Sequence, residues 1–328
     1  MPIPHRPLGN SGLSVSPVAL GCWPIAGMTS LDVNDRDSQA TIEAAIAAGI
    51  NFLDTAYCYG SDGDSERLIG RTLREPAIQR QRDSLVIATK GGLHWGPQGE
   101  RVFDGSPGTL HRECRESLRR LQIETIDLYY LHAPDPNTPV AESATAFAEL
   151  KAAGLIRAAG VSNFTVQQLQ EFNAVCPVAA VQPAYNMLQR QIETDLVPFC
   201  CERNIAVCIY WPLLKGLLAG KLPRDYQFRP GDGRPKYPMF NGQEWERNQD
   251  LLDELWAIAA RNGKTVAQLV VQWTIAQPGI TSALCGAKRP DQILESAAAL
   301  ENEITAAELA QIEAALARRG PAITRSAV

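Results

Sequence analysis

The chain has 328 residues, a formal net charge of −5 at pH 7 and 45% hydrophobic residues. This is the composition of an ordinary globular protein, and a chain of this length can bury a large core without disulfides or a structural metal. The acidic charge balance argues against nucleic acid or an anionic membrane as the main partner.

Two further features of the sequence indicate a cytoplasmic protein. The first residues contain no apolar segment of the kind found in signal peptides, and no run approaches the roughly 18–20 apolar residues of a membrane span. The eight cysteines form no disulfide framework and no CxxC pair. We therefore expect a reducing compartment, no metal and no membrane association, while the oligomeric state stays open.

Short apolar runs alternate with longer amphipathic segments along most of the chain. The opening segment, with glycines at positions 9 and 12, predicts a β-hairpin. The strands predicted after it are 18–21, 50–54, 85–90, 126–132, 156–161, 178–182, 205–210 and 280–284. The predicted helices are 38–48, 65–74 (capped by Asp64 or Ser65), 107–121, 140–153, one from 165, 193–203, one from near 248, one from 290, and 306–318.

Eight successive strand-then-helix units favour a parallel (β/α)₈ TIM barrel, with an N-terminal β-hairpin and an extra C-terminal helix, as a single domain over residues 1–328. A doubly wound sheet would need a phosphate fingerprint after its first strand, and neither G-x-G-x-x-G nor a Walker A motif is present. The segment between strand seven and its helix is unusually long, and its basic and glycine-rich stretch 228–235 predicts a flap over an anionic ligand.

Polar residues lie at the carboxyl ends of several predicted strands, where barrel enzymes carry their catalytic groups. Asp54, Lys90 and His132 follow strands two, three and four. Ser162 and Asn163 follow strand five, Gln182 ends strand six and Tyr210 ends strand seven.

These residue types suit proton transfer beside a carbonyl group. A ketone reduced by hydride needs a proton donor, and a tyrosine can serve if a neighbouring ammonium stabilises its phenolate. Lys90 can supply the ammonium, Asp54 can hold it charged, and Tyr59 lies in the loop after strand two. His132 can orient the substrate oxygen by a hydrogen bond.

The sequence also resembles the aldo-keto reductase family over nearly its whole length. The motif from Asp54 to Gly60, DTAYCYG, resembles that family's DTAxxYG. Further resemblances, in chain order, are Thr89-Lys90, Leu131-His132, the run Gly160 to Phe164, Val181-Gln182 with Tyr185-Asn186, Tyr210 to Leu213 with Gly216 to Lys221, and Gly286 to Arg289 with Gln292 and Glu295.

The resemblance implies a catalytic tetrad. Tyr59 would be the general acid, with Lys90 lowering its pKa. Asp54 would be the partner of the lysine, and His132 would orient the carbonyl. For Lys90, a Schiff-base role in a lyase or aldolase is a further alternative, which a nearby Asp54 disfavours because it would hold the amine protonated.

The resemblance also implies a cofactor, NADP(H) in preference to NAD(H), because Lys288 (with Arg289) would pair with the 2′-phosphate. Ser162, Asn163 and Gln182 would hold the nicotinamide carboxamide, and Tyr210 would stack on the ring. The full set of cofactor residues implied is Ser162, Asn163, Gln182, Tyr210, Trp211, Leu213, Gly216, Lys221, Gly286, Lys288, Gln292, Glu295 and Ser296.

Four residues, at three sites, depart from the family pattern. Ser296 stands where Asn is common beside the adenine, which puts the adenine contacts in doubt. Trp211 replaces a small hydroxyl residue, so backbone groups would have to serve the pyrophosphate. Leu284-Cys285 stands where Ile-Pro is frequent.

The expected activity is reduction of a small aldehyde or ketone, or oxidation of a sugar or alcohol. The alternative is a regulatory subunit that binds NADP with little turnover. Trp23, His94 and Trp95 are candidates to line the substrate pocket, and the loops at about 22–31, 94–103 and 224–245 would set specificity. The sequence names neither the substrate nor the physiological direction.

Overall fold

The computed structural model describes residues 3–27 and 31–323, so the part of the first substrate loop at 28–30 lies outside the described residues. Eight parallel strands form a closed barrel in which each strand pairs with the next along the chain and the eighth pairs with the first. This confirms the predicted (β/α)₈ fold. The barrel strands are β1 Val18–Gly21, β2 Phe52–Asp54, β3 Val86–Gly91, β4 Ile126–Leu131, β5 Ile156–Ser162, β6 Val178–Gln182, β7 Ala206–Tyr210 and β8 Ile280–Gly286.

The strands are apolar on both faces because both faces are buried. Phe52 and Val86 point into the barrel, where they join the inner hydrophobic cluster. Their chain neighbours Leu53 and Ile87 belong to the larger cluster between the barrel and its helices. Parallel strands covered on both sides give continuous apolar runs, and this pattern allowed the strands to be located in the sequence.

Ten helices follow and flank the strands in the described part of the chain, apart from single turns. They are α1 Asp35–Ala47, α2 Asp64–Leu73, α3 Pro107–Leu121, α4 Val140–Ala152, α5 Val166–Val175, α6 Leu196–Glu202, α7 Gly242–Arg261, α8 Val266–Ala276, α9 Pro290–Ala297 and α10 Ala306–Arg319. None of these described helices has both the length and the apolar character to cross a membrane.

Two helix predictions need correction. The N-cap of α2 is Gly63, with a left-handed φ of 67°, instead of Asp64 or Ser65. The Asp64 carboxylate accepts the backbone N–H of Ser61 instead and so closes the preceding loop. The helix expected from near 248 is two helices, since α7 begins at Gly242 and α8 follows it. It is α8 that contacts β8, whereas α7 packs mainly against α10.

The N-terminal hairpin closes one end of the barrel. Its strands Arg6–Pro7 and Ser14–Val15 are antiparallel, and Leu8 belongs to the cluster inside the barrel. At Gly9, which has a left-handed φ of 55°, a Cβ atom would lie 2.2 Å from the carbonyl oxygen of Ala179. The hairpin turn therefore requires glycine on both conformational and steric grounds.

The extra C-terminal helix α10 is held by ion pairs near each end. At its first turn, Lys264 donates to Glu308 at 2.6 Å, and both side chains are nearly buried. At its last residue, Arg319 pairs with the buried Glu244 at the start of α7. The helix is thereby joined to the segment between β7 and β8 and lies outside the repeating strand–helix pattern.

Candidate active site

The carboxyl ends of the barrel strands meet at one rim, and a cavity of about 720 Å³ opens there. Asp54 is the last residue of β2, Lys90 lies near the end of β3, and His132 directly follows β4. Gln182 and Tyr210 end β6 and β7. Parallel strands bring these side chains to a common edge although they are far apart in sequence.

Lys90 and Asp54 form a buried ion pair at the base of the site. The Lys90 Nζ donates to Asp54 Oδ1 at 2.5 Å, and their side chains are 1% and 3% exposed. The same nitrogen donates to the carbonyl oxygen of Thr55 at 2.7 Å. A charge this deeply buried is stable only with a partner, so each member of the pair holds the other in place.

Gln182 supplies the second contact of Asp54. Its Nε2 donates to Asp54 Oδ2 at 2.7 Å, so both carboxylate oxygens accept hydrogen bonds. Burial raises the pKa of Asp54, while Lys90 and Gln182 act in the opposite direction. The two donors thus limit the effect of burial on the carboxylate.

Tyr59 reaches the same ammonium from the loop after β2. Its Oη lies 3.5 Å from Lys90 Nζ, and its ring packs edge-on against Trp23 with centroids 4.8 Å apart. Burial and the charge of Asp54 raise the pKa of Tyr59 well above its ordinary value. The phenol is therefore neutral in the free protein and carries a proton that it can donate.

His132 is neutral as well. Burial, followed by the charges of Lys90 and Arg101, lowers its pKa well below the ordinary value. The Sγ of Cys58 lies 3.7 Å from His132 Nδ1. With Nδ1 engaged by the thiol, Nε2 is the ring nitrogen left for a ligand in the cavity.

A hydrogen-bond network connects the ends of β5, β6 and β7. Asn163, with a left-handed φ of 61°, donates through Nδ2 to the His132 carbonyl oxygen at 3.0 Å. Its Oδ1 accepts the Tyr210 hydroxyl at 2.7 Å, and the Ser162 hydroxyl donates to the Gln182 carbonyl oxygen at 2.8 Å. The four residues expected to hold a nicotinamide ring, Ser162, Asn163, Gln182 and Tyr210, are thus connected to one another at this end of the barrel.

The loop after β7 has an uncommon backbone. Trp211, Leu214 and Lys215 all have positive φ, as does Gly216, and non-glycine residues rarely adopt this conformation. The Trp211 indole packs between the rings of Tyr210 and Tyr237, with centroid distances of 5.6 and 5.9 Å. The tryptophan that departs from the family pattern therefore packs against the long segment that follows β7.

The far end of the cavity carries the residues expected to hold an adenosine phosphate. Gly286, Lys288, Gln292, Glu295 and Ser296 all line it, together with Leu213, Gly216 and Lys221 from the loop after β7. Lys221 donates to Glu295 at 2.5 Å, and the backbone N–H of Lys288 donates to Gln292 at 2.9 Å. The Lys288 ammonium donates to the Leu31 carbonyl oxygen.

The long segment after β7 lies over this cavity. Tyr226, Arg229, Arg234 and Tyr237 are among its lining residues. Arg229 pairs with Asp32 in the loop after β1, so the segment is joined across the cavity to the opposite side. This arrangement agrees with the flap that the sequence predicts.

Of the three substrate-pocket candidates, Trp23 and Trp95 line the main cavity. The Trp95 Nε1 donates to the Cys58 carbonyl oxygen at 2.8 Å. His94 instead lines a neighbouring cavity of about 170 Å³ and pairs with Glu113 at 2.8 Å. Trp95 lines this smaller cavity as well, so its side chain lies between the two cavities, whereas His94 lines only the smaller of them.

Sequence reasoning did not find the short hairpin after β3 that carries Trp95. Its strands Leu93–Trp95 and Arg101–Phe103 are antiparallel, and Trp95 pairs with Arg101. Arg101 and Lys215 both line the main cavity and were not singled out. Glycines at 96 and 99, flanked by aromatic and β-branched residues, were the signal that could have predicted this hairpin.

Among residues 3–27 and 31–323, no group of three or more His, Cys, Asp or Glu side chains is arranged to hold a metal ion.

Comparison with known proteins agrees with this geometry. The sequence model of the aldo/keto reductase family matches residues 17–317. The chain is 36% identical to the aldo-keto reductase YhdN of Bacillus subtilis over 291 residues, covering 88% of this chain and 86% of that protein. It is 33% identical to the NADH-specific methylglyoxal reductase of Escherichia coli over 317 residues, covering 92% of this chain and 95% of that protein.

Solved structures give the same result. The glycerol dehydrogenase AKR11B4 from Gluconobacter oxydans superposes with a TM-score of 0.88 at 36% identity, covering 99% of this chain and 98% of that one. The aldo-keto reductase AKR11C1 from Bacillus halodurans, in its holo form, gives a TM-score of 0.78 at 26% identity, with 99% of each chain covered. The chain therefore belongs to the aldo-keto reductase family of oxidoreductases, whose members use nicotinamide cofactors.

Proposed function

We propose that this protein is an NADP(H)-dependent carbonyl reductase in which Tyr59 is the general acid and, in the reverse direction, the general base. The observation that carries the proposal is the position of the Lys90 ammonium, which lies 2.5 Å from Asp54 Oδ1 and 3.5 Å from Tyr59 Oη. An ammonium so held can stabilise the phenolate that remains when the tyrosine gives up its proton.

A bound nicotinamide cofactor would supply the hydride, and the chain's own groups would transfer the proton and orient the carbonyl. Tyr59 donates its proton to the developing alkoxide, and Lys90 compensates the charge left on the phenolate. His132, neutral in this site, donates a hydrogen bond to the carbonyl oxygen and so holds it beside the phenol. Asp54 keeps the ammonium charged and fixed in position.

A dinucleotide suits the shape and donor set of the cavity. The amide and hydroxyl rim of Ser162, Asn163 and Gln182 would bind the nicotinamide carboxamide, with Tyr210 beside the ring. Trp211, Leu213, Gly216 and Lys221 would serve the pyrophosphate, and Gly286, Gln292, Glu295 and Ser296 the adenosine. Lys288, with Arg289, would pair with the 2′-phosphate, which is the basis for preferring NADP(H) although one relative is an NADH-specific reductase.

The proposed substrate is a small carbonyl compound or a sugar, or the corresponding alcohol. Two relatives are a methylglyoxal reductase and a glycerol dehydrogenase, and both methylglyoxal and glycerol are small, polar molecules. Trp23 and Trp95 would form the walls of the substrate pocket. A cytoplasmic location is part of the proposal, because all eight cysteines are free thiols of the kind that a reducing compartment preserves.

The surroundings of Lys90 argue against Schiff-base chemistry. Its Nζ donates to Asp54 Oδ1, to the Thr55 carbonyl oxygen and towards Tyr59 Oη, which uses all three N–H bonds of an ammonium. A nucleophilic amine would need a free lone pair, and a nitrogen that donates in these three directions has none to offer.

The test combines nucleotide titration with a pair of tyrosine variants. NADPH and NADH binding is followed by fluorescence, and turnover of an aldehyde and sugar panel by nicotinamide absorbance. We expect Tyr59→Phe to bind NADPH normally and to lose about 10²- to 10⁴-fold in kcat. Tyr57→Phe is the matched control, because the Tyr57 hydroxyl donates to Glu116 at 2.8 Å and the residue lines the smaller cavity.

Each other outcome has a definite meaning. Tight NADPH binding by the wild-type protein with no turnover on a broad panel would replace the reductase with a regulatory subunit. Absence of binding of either nucleotide would contradict the cofactor assignment. Borohydride trapping of a substrate on Lys90 would then establish the Schiff-base alternative.

A further inference from the structure

The side chain of Gln182 reaches Asp54 across the mouth of the barrel. Gln182 ends β6 and Asp54 ends β2, and these strands lie on opposite sides of the closed barrel, with three strands between them in either direction. The hydrogen bond from Gln182 Nε2 to Asp54 Oδ2, at 2.7 Å, joins residues 128 positions apart. Both residues are 2% exposed. Since no strand pairing brings them together, the contact depends on both side chains pointing into the barrel.

The direction of this hydrogen bond follows from the charge of Asp54. An ionised carboxylate only accepts hydrogen bonds, so the amide of Gln182 must present its nitrogen to it. The other carboxylate oxygen, Oδ1, accepts the Lys90 ammonium at 2.5 Å. The two oxygens of this buried carboxylate are thus held from different strands, one by the cation on β3 and the other by the amide on β6.

Loss of the amide would change the charge state of the site. Oδ2 would lose its donor while remaining buried, and a buried carboxylate that loses a donor is protonated more readily, so the pKa of Asp54 would rise. A neutral Asp54 would no longer hold the Lys90 ammonium in place, 3.5 Å from Tyr59 Oη. We propose that Gln182 is a positioning residue for proton transfer, which acts on Tyr59 through Asp54 and Lys90, in addition to its expected contact with the nicotinamide carboxamide. This inference rests on the proposed reductase function and adds a residue to it.

Six other titratable groups surround the pair formed by Asp54 and Lys90. They are Cys22 after β1, Cys58 and Tyr59 in the loop after β2, Tyr130 in β4, His132 after β4 and Cys208 in β7. Burial raises the pKa of the three thiols and of the two phenols and lowers the pKa of the imidazole, so all six are neutral near neutral pH. The charged members of this group are therefore Asp54 and Lys90, and the Gln182 amide acts on the charge of Asp54.

Gln182→Met tests the proposal in the full-length enzyme, because methionine has a similar length and lacks both polar atoms. The pH dependence of kcat/KM is measured for one aldehyde with saturating NADPH, and NADPH affinity is measured by fluorescence. We expect the acid limb of the profile to move upward by about one to two pH units, because Asp54 is protonated at higher pH once its donor is lost. NADPH affinity should fall by less than about tenfold, since the other nicotinamide contacts remain.

Gln182→Glu is the second variant and keeps the shape of the side chain. Two adjacent carboxyl groups share one proton, and Lys90 favours the ionised form of Asp54, so the introduced carboxyl group would carry the proton and donate as the amide does. The acid limb should therefore lie within about half a pH unit of the wild type, and activity should fall instead as rising pH removes the shared proton. If Gln182→Met does not fold, this loss at rising pH is the test, and its absence would overturn the proposal.

Gln272→Met is the matched control. The Gln272 amide in α8 is also buried, and its nitrogen donates to the Asn302 carbonyl oxygen at 2.6 Å. Its pH profile should match that of the wild type. The same upward shift in Gln272→Met as in Gln182→Met would assign the effect to a less stable protein and overturn the proposal.

The remaining outcomes are also decisive. A large loss of NADPH affinity in Gln182→Met with an unchanged acid limb would limit Gln182 to the cofactor and overturn its positioning role, while the reductase stays intact. Equal upward shifts in Gln182→Met and Gln182→Glu would overturn that role as well, because the effect would not depend on a donor to Asp54. Failure of the wild type to reduce any aldehyde with either nucleotide would overturn the proposed function, and the role of Gln182 with it.

Discussion

The Cys58 thiol lies 3.7 Å from Nδ1 of His132, one of the four proposed catalytic residues. Burial raises the pKa of this thiol to about 12 and lowers the pKa of the imidazole well below its ordinary value, so both groups are neutral. A neutral thiol can donate its S–H to Nδ1. The single N–H of the ring then lies on Nε2, where it can donate to a carbonyl oxygen.

This relationship predicts that Cys58→Ala lowers kcat/KM by about three- to tenfold, because the imidazole loses the donor that selects its tautomer. Cys58→Ser should retain most of the activity, since a hydroxyl can also donate to Nδ1. The measurement is steady-state kinetics with one aldehyde, together with NADPH affinity. Cys22→Ala is the control: that thiol lines the same cavity but donates to the Leu20 carbonyl oxygen. Equal losses in Cys22→Ala and Cys58→Ala would contradict the tautomer argument.

The proposed catalytic groups could be predicted from the sequence to very different degrees. Asp54, Lys90 and His132 come at the ends of apolar segments that predict strands. Because a parallel barrel brings the carboxyl ends of its strands to one rim, the proximity of these residues follows from the fold. Tyr59 belongs to a loop, and its proposed role follows from the chemistry of the neighbouring residues and from the family resemblance. The contact between Cys58 and His132 joins residues 74 positions apart through loop geometry that no periodic pattern encodes.

The elements that were missed have a physical reason in common. Helix α8 is buried on nearly all sides, so it lacks the alternation of polar and apolar residues that marks an amphipathic helix. The hairpin that carries Arg101 has strands of only three residues, too short for a clear period of two. Neither element therefore has the alternation of polar and apolar residues by which helices and strands are predicted from a sequence.

A second prediction concerns acid sensitivity of the C-terminal helix. Burial raises the pKa of Glu308, but hydrogen bonds from Lys264 and Thr305 outweigh it, and the pKa lies below its ordinary value. The stability from this carboxylate is therefore present above the unfolded-state pKa of about 4.3 and is lost as pH falls through the lower folded-state pKa. Glu308→Gln should reduce the free energy of unfolding by about 1–3 kcal/mol at pH 7.

Urea unfolding at pH 7 and at pH 3 measures this effect as a difference between wild type and variant, which should shrink at the lower pH. Glu254→Gln is the control. Glu254 of α7 pairs with Arg318 of α10 at an exposed site, and such a pair should contribute little to the free energy of unfolding. If Glu308→Gln lowers the free energy of unfolding equally at both pH values, the charge of Glu308 is not the cause of the lower stability.

A third prediction concerns cofactor choice. If Lys288 pairs with the 2′-phosphate, Lys288→Met should weaken NADPH binding by about 10- to 100-fold through loss of a charge-assisted contact. NADH has no phosphate there, so its affinity should change by less than about threefold. Fluorescence titration of both nucleotides against both proteins gives the comparison, and NADH acts as the internal control. Equal losses for the two nucleotides would indicate instead that the contact of Lys288 with the Leu31 carbonyl oxygen supports the cavity as a whole.

The last prediction tests the packing of the barrel interior at Gly160 in β5. A Cβ atom there would lie 2.5 Å from ring carbons of the fully buried Tyr130 and 3.0 Å from the Ala180 carbonyl oxygen. Gly160→Ala should therefore destabilise the protein by about 1–3 kcal/mol, because the ring is enclosed and the backbone oxygen belongs to the adjacent strand. Chemical unfolding measures the change.

Gly108, in the first turn of α3, is the matched control, since a Cβ atom there meets nothing within 4 Å. Gly108→Ala should be neutral or stabilising by up to about 1 kcal/mol, because alanine restricts the unfolded chain and favours helix. The two substitutions add the same methyl group and differ only in the space that receives it. An unchanged stability in Gly160→Ala would mean that the Tyr130 ring can shift inside the barrel, and that this interior tolerates motion next to the Lys90 and Asp54 pair.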